Sequence, residues 1–433
     1  MISVAFLTLG CKVNQYETEA MTEQFKAKGY QIKDFGEVCD IYVINTCTVT
    51  GTGDKKSRQT VRRAHTLNPN AIIVVAGCYS QVSPDEVKKI EGVNLVLGTS
   101  ERAHIADIVE KYMAGGGTKM SEQVTDIMKQ KDYEQMNITQ YSGKTRAFVK
   151  IEDGCTEFCS YCIIPYARGP VRSRKKESIL KEITSLAQNG FKEIVLTGIN
   201  LAAYGRDLKD ISLADIAELA ANVDGIERIR FGSVEPRLLT EEFVQRISKI
   251  PQMCNHFHIS LQSGCDETLK RMNRKYTTDE YAHCTELIRK YFENPAFTTD
   301  IMVGFPGETD EEFEKSLEFM KKIKFAEAHV FAYSRRKGTK ADKMPNQIDK
   351  KIKEVRSHKM AQVCNELKCN YMKSLVGKEY NVLFERKIQD GIFEGHMTNY
   401  VKVHAPSDAN ISHTIKRVAI TGVSNDACTG ILV

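Results

Sequence analysis

Six of the 13 cysteines stand where thiolates could share a metal. Three lie close together in "GCTEFCSYC", at Cys155, Cys159 and Cys162, spaced C-x3-C-x2-C. Three more each end an apolar run: "LTLGC" at Cys11, "VINTC" at Cys47 and "VVAGC" at Cys78. These are 36 and 31 residues apart, about one strand-plus-helix unit each. Thiolates are soft ligands, and three without a fourth leave one metal position open. The pattern suits an iron–sulfur cluster with one free iron, or an open zinc site. The bland alternative is a small buried hydrophobe. Recurrence at three equivalent strand ends argues against it for Cys11, Cys47 and Cys78. For the close triplet, structural zinc would need a fourth ligand, and no His or Cys follows within several residues.

Elements must bring the distant cysteines together. The strand-like runs at 2–10, 40–46 and 71–77 alternate with helix-like stretches at 17–28 and 55–67. That rhythm predicts βαβ units and a parallel sheet. Parallel strands end at one edge, so the three thiols should converge on one crevice. A strand at 93–99 and a helix at 105–113 complete an α/β domain over 1–113. Residues 114–145 are polar and open with three glycines, so they read as a linker. The glycines follow no strand, which rules against a phosphate loop. From 146 a second α/β rhythm places strands at 147–152, 193–198, 228–234, 256–262, 297–305 and 327–334. Six parallel strands predict a partial (β/α)6 barrel over 146–375, with its active face at the strand C-termini. A charged amphipathic segment, 349–375, ends it. Short strands at 379–388, 391–397, 400–406 and 414–423 predict a small all-β barrel over 376–433.

The chain has 433 residues, 42% hydrophobic and 27% charged, which fits several globular domains. No run approaches the ~18 apolar residues of a membrane span. The start lacks the basic region and cleavage site of a signal peptide, so a cytoplasmic protein is expected. An odd cysteine count argues against a disulfide framework. The net charge of +5 permits nucleic-acid binding.

With both cysteine sets in view, the chain resembles the radical S-adenosylmethionine (SAM) methylthiotransferase family. The order matches: a three-cysteine domain, a radical-SAM core and a TRAM-like β-barrel. "GCKVNQYETE" (10–19), "GCTEFCSYCIIPYARGPVRSR" (154–174) and "DIMVGFPGET" (300–309) are most similar to the branch acting on threonylcarbamoyladenosine in tRNA. The resemblance implies two 4Fe-4S clusters, one on Cys155, Cys159 and Cys162 and an auxiliary one on Cys11, Cys47 and Cys78. It implies SAM both as methyl donor and as source of a 5′-deoxyadenosyl radical. The product would carry a methylthio group on carbon 2 of adenosine 37, in the anticodon stem-loop. Such a carbon–hydrogen bond is not acidic enough for base chemistry, so the cofactors carry the reaction. The resemblance further assigns SAM contacts to Tyr161, Gly198, Asn200, Ser233, Glu235, Gln262 and Gly304. It implies an electron donor such as flavodoxin or ferredoxin, and a monomer away from membranes.

Other residues are less telling. Lys55, Arg58 and Arg62 share a helical face and suit phosphate contacts or a solvated surface. Arg168, Arg172 and Arg174 follow the cysteine triplet and are expected to touch RNA or SAM. The C-terminal barrel has six Lys/Arg and six Asp/Glu, so only local patches such as Arg386–Lys387 or Lys416–Arg417 could hold RNA. Cys39, Cys254, Cys265, Cys284, Cys364, Cys369 and Cys428 read as structural. Rival functions are methylthiolation of isopentenyladenosine 37 or of a ribosomal-protein aspartate. From another class comes an RNA-binding protein with zinc sites.

Overall fold

The computed structural model describes residues 1–49, 51–117, 120–139 and 145–433. Its first sheet is parallel throughout and has six strands. Their order is Gln31–Lys33, Ser3–Thr8, Ile41–Thr46, Ile72–Gly77, Val93–Leu97 and Ser121–Gln123. The central strand Ile41–Thr46 is buried at every position, as befits a parallel strand covered on both faces. Val43 and Val74 face the layer of helices Lys12–Ala27 and Ile105–Ala114. Ile44 and Val75 face helix Gly51–Leu67.

Two helices start earlier than the pattern suggested. The first begins at Lys12, directly after Cys11, because Gly10 turns the chain at φ +113°. The second begins at Gly51, so "GTGDKKS" forms its opening turns and not a loop. Its glycines are poor helix formers, but tertiary bonds from Asp54 hold the turn. Thr50 lies outside the described residues.

The segment expected as a linker, 114–145, does more than connect. Its residues 118–119 and 140–144 lie outside the described residues. Within the rest, Ser121–Gln123 adds an edge strand, and Ile127, Tyr133, Met136 and Ile138 are buried. These apolar residues follow no period, because they fill separate gaps along an irregular path.

The central region forms two three-stranded parallel sheets. Arg146–Lys150, Glu193–Thr197 and Arg228–Phe231 make one, and His256–His258, Ala296–Val303 and Glu327–Ala332 the other. Parallel bridges Ile229–Met253 and Val234–Ile259 join them into the expected six-stranded partial barrel. Along the last strand Ala328 and Val330 pack outward on the apolar core. His329 and Phe331, on the alternate face, remain exposed to the open lumen. One apolar cluster runs from Val4 through Ile194 to Met360, so the first sheet and the partial barrel share a core.

The C-terminal strands close into a separate barrel in the order Glu379–Gln389, Ile392–Met397, Lys402–Pro406, Ala427–Leu432, Ile415–Ser424. The strand Ala427–Leu432 was not expected. Tyr400, at φ +70°, stacks between the rings of His256 and His396, 4.9 and 5.0 Å away. The guanidinium groups of Arg146 and Arg230 lie over its ring at 4.8 and 4.7 Å. This loop therefore caps the N-terminal end of the partial barrel. Among the described residues, no helix is long and apolar enough to cross a membrane.

Candidate active site

The three distant cysteines meet at one edge of the first sheet. Cys11 is the N-cap of helix Lys12–Ala27, Cys47 follows strand Ile41–Thr46, and Cys78 opens helix Cys78–Val82. A Cβ on Gly10 would come within 2.8 Å of the Cys47 Cβ and 3.0 Å of its Sγ. Glycine thus keeps the space beside that thiol open. Asn14 fastens two of the strand ends: its Nδ2 donates to the carbonyls of Leu9 (2.8 Å) and Thr46 (3.0 Å). Burial, reinforced by Cys78 and Cys11, pushes the Cys47 thiol up to about 11. Burial also raises Cys78, whose Sγ accepts a hydrogen bond from Arg168 Nε at 3.2 Å.

The close triplet follows the first barrel strand. Gly154, at φ +90°, starts the loop, and a Cβ there would lie 1.9 Å from the Pro170 carbonyl oxygen. The Cys155 N–H donates to the Gly169 carbonyl and that of Cys162 to Cys159. Burial, aided by the charge of Cys159, pushes both Cys155 and Cys162 up to about 12. Arg274 Nη1 donates to Cys159 Sγ at 3.2 Å. Its Nη2 lies 3.3 Å from Glu235.

Between the two sets lies a buried network of charges. Arg102, Lys150 and Arg168 are 0% exposed and converge on Glu17, itself 0% exposed. Asp153, two residues before Cys155, accepts from Lys150 at 2.6 Å and from Arg168 at 3.4 Å. Burial would raise both carboxyl groups, but the surrounding cations hold them below the ordinary range. Arg168 also donates to Asn14 Oδ1 at 2.8 Å, so a single guanidinium touches Cys78, the Asn14 brace and the loop leading to Cys155. Arg172 is 2% exposed, and Arg174 is 0% exposed against Glu182 and Asn137. The expected RNA contacts of these three arginines are therefore corrected. They are interior ion-pair partners: Glu17 reaches Arg168 from the first helix, Asp153 meets Arg172, and Glu182 meets Arg174. A second bridge pins the Cys47 loop: Arg336, after the last barrel strand, bonds Asp54 and Thr48.

The residues assigned to SAM stand at the barrel's strand ends. Asn200 Nδ2 lies 3.9 Å from Cys155 Sγ, and its backbone N–H donates to Glu152 at 2.7 Å. A Cβ on Gly198 would sit 2.7 Å from the same carboxylate. Glu235 reaches the triplet through Arg274. Ser233 pairs with Ser260 at 3.1 Å, and Gln262 adopts φ +68° beside Asp300 and Met302. The ring of Tyr161 packs 6.4 Å from Phe305. Gly304, at φ +70°, faces Lys353, whose Cγ would be 2.3 Å from an added Cβ. Two side chains bond the triplet thiols, Asn200 and Arg274, and the sequence reading missed Arg274. "RMNRKY" carries no local mark of Arg274's role. Arg168, by contrast, lies in the stretch 154–174 with the cysteine triplet, and its partners are Glu17, Asp153 and Cys78. Of the surface bases, Arg58 donates to Tyr79, while Arg386 and Arg417 pair with Glu394 and Glu379. Among the remaining cysteines all but Cys369 are buried.

Both sets fit an iron–sulfur cluster. Crowded, desolvated thiols cannot all ionise without nearby positive charge, which a metal cluster supplies.

Residues 149–320 match the model described as the radical SAM superfamily, and residues 3–98 that described as uncharacterized protein family UPF0004. The chain is 43% identical to the threonylcarbamoyladenosine tRNA methylthiotransferase MtaB of Bacillus subtilis, over 93% of this chain and 90% of that one. It is 34% identical to a tRNA-2-methylthio-N(6)-dimethylallyladenosine synthase of Clostridium novyi, over 87% and 84%. In fold it resembles the radical SAM methyltransferase TsrM of Kitasatospora setae, with a TM-score of 0.57, 15% identity, and 79% and 77% of the two chains covered.

Proposed function

The chain belongs to the radical SAM tRNA methylthiotransferase family, and from that premise we propose that its substrate is threonylcarbamoyladenosine at position 37 of tRNA. The product is the 2-methylthio derivative. The reaction uses two 4Fe-4S clusters, two SAM molecules, and electrons from a flavodoxin or ferredoxin, and takes place in the cytoplasm on a monomeric enzyme. Bound at Cys155, Cys159 and Cys162, and at Cys11, Cys47 and Cys78, the clusters supply reductive cleavage of SAM and the sulfur to be transferred.

The chain's own residues hold and orient. Asn200 and Gly198 shape the loop beside Cys155, with buried Glu152 fixing it through the Asn200 N–H. Arg274 places a positive charge against Cys159 and orients Glu235. Ser233, Gln262, Gly304 and the backbone at Tyr161 line the adjoining strand ends, where SAM's adenosine would lie. Arg168 and Arg336 lock the auxiliary site to the barrel, so sulfur donor and radical source keep a fixed relation. The observation that carries the proposal is this: two three-cysteine sites on adjoining sheet edges share one buried arginine. The branch choice is supported by the greater identity to threonylcarbamoyladenosine enzymes.

Nucleoside mass spectrometry of tRNA from a deletion strain tests it. The 2-methylthio form is expected to vanish while threonylcarbamoyladenosine accumulates. Accumulation of isopentenyladenosine instead refutes the substrate assignment.

A further inference from the structure

The triplet loop lies across the C-terminal mouth of the partial barrel and is tied to it on several sides. Glu157 pairs with Arg206 and Arg237, at 3.2 and 2.8 Å, from the loops after the second and third barrel strands. The Ser160 N–H donates to the Met272 carbonyl, and Asn273 Nδ2 donates to the Phe158 carbonyl at 2.9 Å. After the last barrel strand, the Ala341 N–H donates to the Ser160 carbonyl. Phe158, held in this way directly before Cys159, adopts φ +46°, a left-handed backbone that costs free energy for a bulky residue. It is nonetheless 40% exposed, and Tyr166, whose ring meets it edge to face at 5.8 Å, is 47% exposed. Rings so exposed add little to the core. The loops around them carry Lys275, Lys337 and Lys340, all exposed. Lys275 Nζ donates to Asn273 Oδ1 at 2.7 Å, which keeps it beside Phe158. Gly338 lies against the triplet loop, since an added Cβ would be 3.5 Å from Ile163 Cδ1, and this brings Lys337 and Lys340 to the same face.

We propose that this ring pair, with its fringe of lysines, is the docking seat of the protein that reduces the triplet site, an acidic one-electron carrier of the flavodoxin or ferredoxin kind. The inference rests on the proposed cluster at Cys155, Cys159 and Cys162, and names where its electrons enter. One electron leaves the carrier, which is oxidised, and reduces the group those thiols hold. Electron transfer falls off steeply with distance, and Phe158 is an exposed aromatic residue bonded directly to a triplet cysteine. A carrier seated on it stands beside the triplet. Rigid aromatic anchors are what tight protein contacts are built on, and the lysines favour a partner with an acidic face and steer its approach. RNA is the rival occupant. The edge-to-face rings leave no parallel faces between which a base could slide. The C-terminal barrel, where the sequence places patches for RNA, caps the opposite end of the partial barrel.

The experiment mixes the cluster-loaded full chain anaerobically with reduced flavodoxin or reduced ferredoxin, and follows oxidation of the carrier and bleaching of the cluster by stopped flow. Dithionite, a small reductant that needs no docking seat, is the comparison. Phe158→Ala and Tyr166→Ala are each expected to raise the carrier concentration for half-maximal rate by about tenfold, while the rate with dithionite stays that of wild type. Lys337→Glu combined with Lys340→Glu should slow the carrier reaction most at low salt, the signature of charge steering. That variant and Tyr166→Ala keep the test valid if Phe158→Ala disturbs the loop. Unchanged carrier kinetics in both would overturn the inference. So would equal slowing with dithionite, which marks a change in the cluster itself. Tenfold weaker binding of an anticodon stem-loop with unchanged carrier kinetics would mean an RNA surface and overturn it too. If neither carrier reduces a wild-type cluster that dithionite does reduce, the docking seat falls and the cluster reading stands. If dithionite also fails, the cluster reading falls as well.

Discussion

At Arg168 one guanidinium meets groups from three chain segments: the Cys78 thiol, Asn14 with Glu17, and Asp153. Its methylene stem could be replaced without leaving a hole, but its charge could not. Arg168→Met should destabilise the chain by about 3–5 kcal/mol, the usual result of breaking a buried pair and stranding its partners. Chemical denaturation measures this, and a loss under about 1 kcal/mol would show that Arg102 and Lys150 suffice. The second substitution Glu17→Gln should return part of the loss, because it removes a carboxylate left short of positive charge. The sequence marked Arg168 as basic and near a cluster. It could not show that the side chain turns inward, since Asn14 and Glu17 lie about 150 positions away.

Among the elements, the turn from strand Ser3–Thr8 into helix Lys12–Ala27 sets the auxiliary site. Gly10 there has both a positive φ and a missing side chain that would collide with Cys47. Gly10→Ala should therefore lower iron and sulfide in the reconstituted protein by about half, one cluster of two, with circular dichroism unchanged. Gly29→Ala is the control: Gly29 also has positive φ, at +81°, but nothing within 4 Å of an added Cβ. If both variants lose iron alike, backbone strain and not crowding at Cys47 is the cause. Strand and helix existence followed from periodicity. Helix starts did not, because Gly51–Leu67 is extended by Asp54 bonds to a residue in another region.

For the whole molecule, the charge network joins the first sheet to the partial barrel, and that union should be sensitive to acid. Glu17 and Asp153 are held below the ordinary carboxylate range in the native state. The unfolded chain therefore takes up protons first as pH falls. The stability they provide is complete above the unfolded value, ~4.3 for glutamate and ~3.9 for aspartate, and is lost towards the depressed native values. Glu152 opposes this, because burial raises its carboxyl well above the ordinary value. The urea midpoint should fall between about pH 5 and pH 3, and more gently in Glu17→Gln. A midpoint flat over that range would mean that the raised Glu152 cancels the network.

The sequence alone determined both cysteine sets, the parallel first sheet, the six-stranded partial barrel and the final β-barrel. Each is written in short spacings or in apolar periods, and local backbone geometry reads such patterns directly. Tertiary structure decided the rest. It gave Arg168, Arg172 and Arg174 to interior carboxylates and not to RNA. It buried Tyr133 and Met136 in a stretch that has no period. A charge is a local property of the chain, but its neutralisation depends on how the chain folds, as when Glu17 reaches Arg168 across about 150 positions, so only the folded molecule shows which charges are satisfied within it.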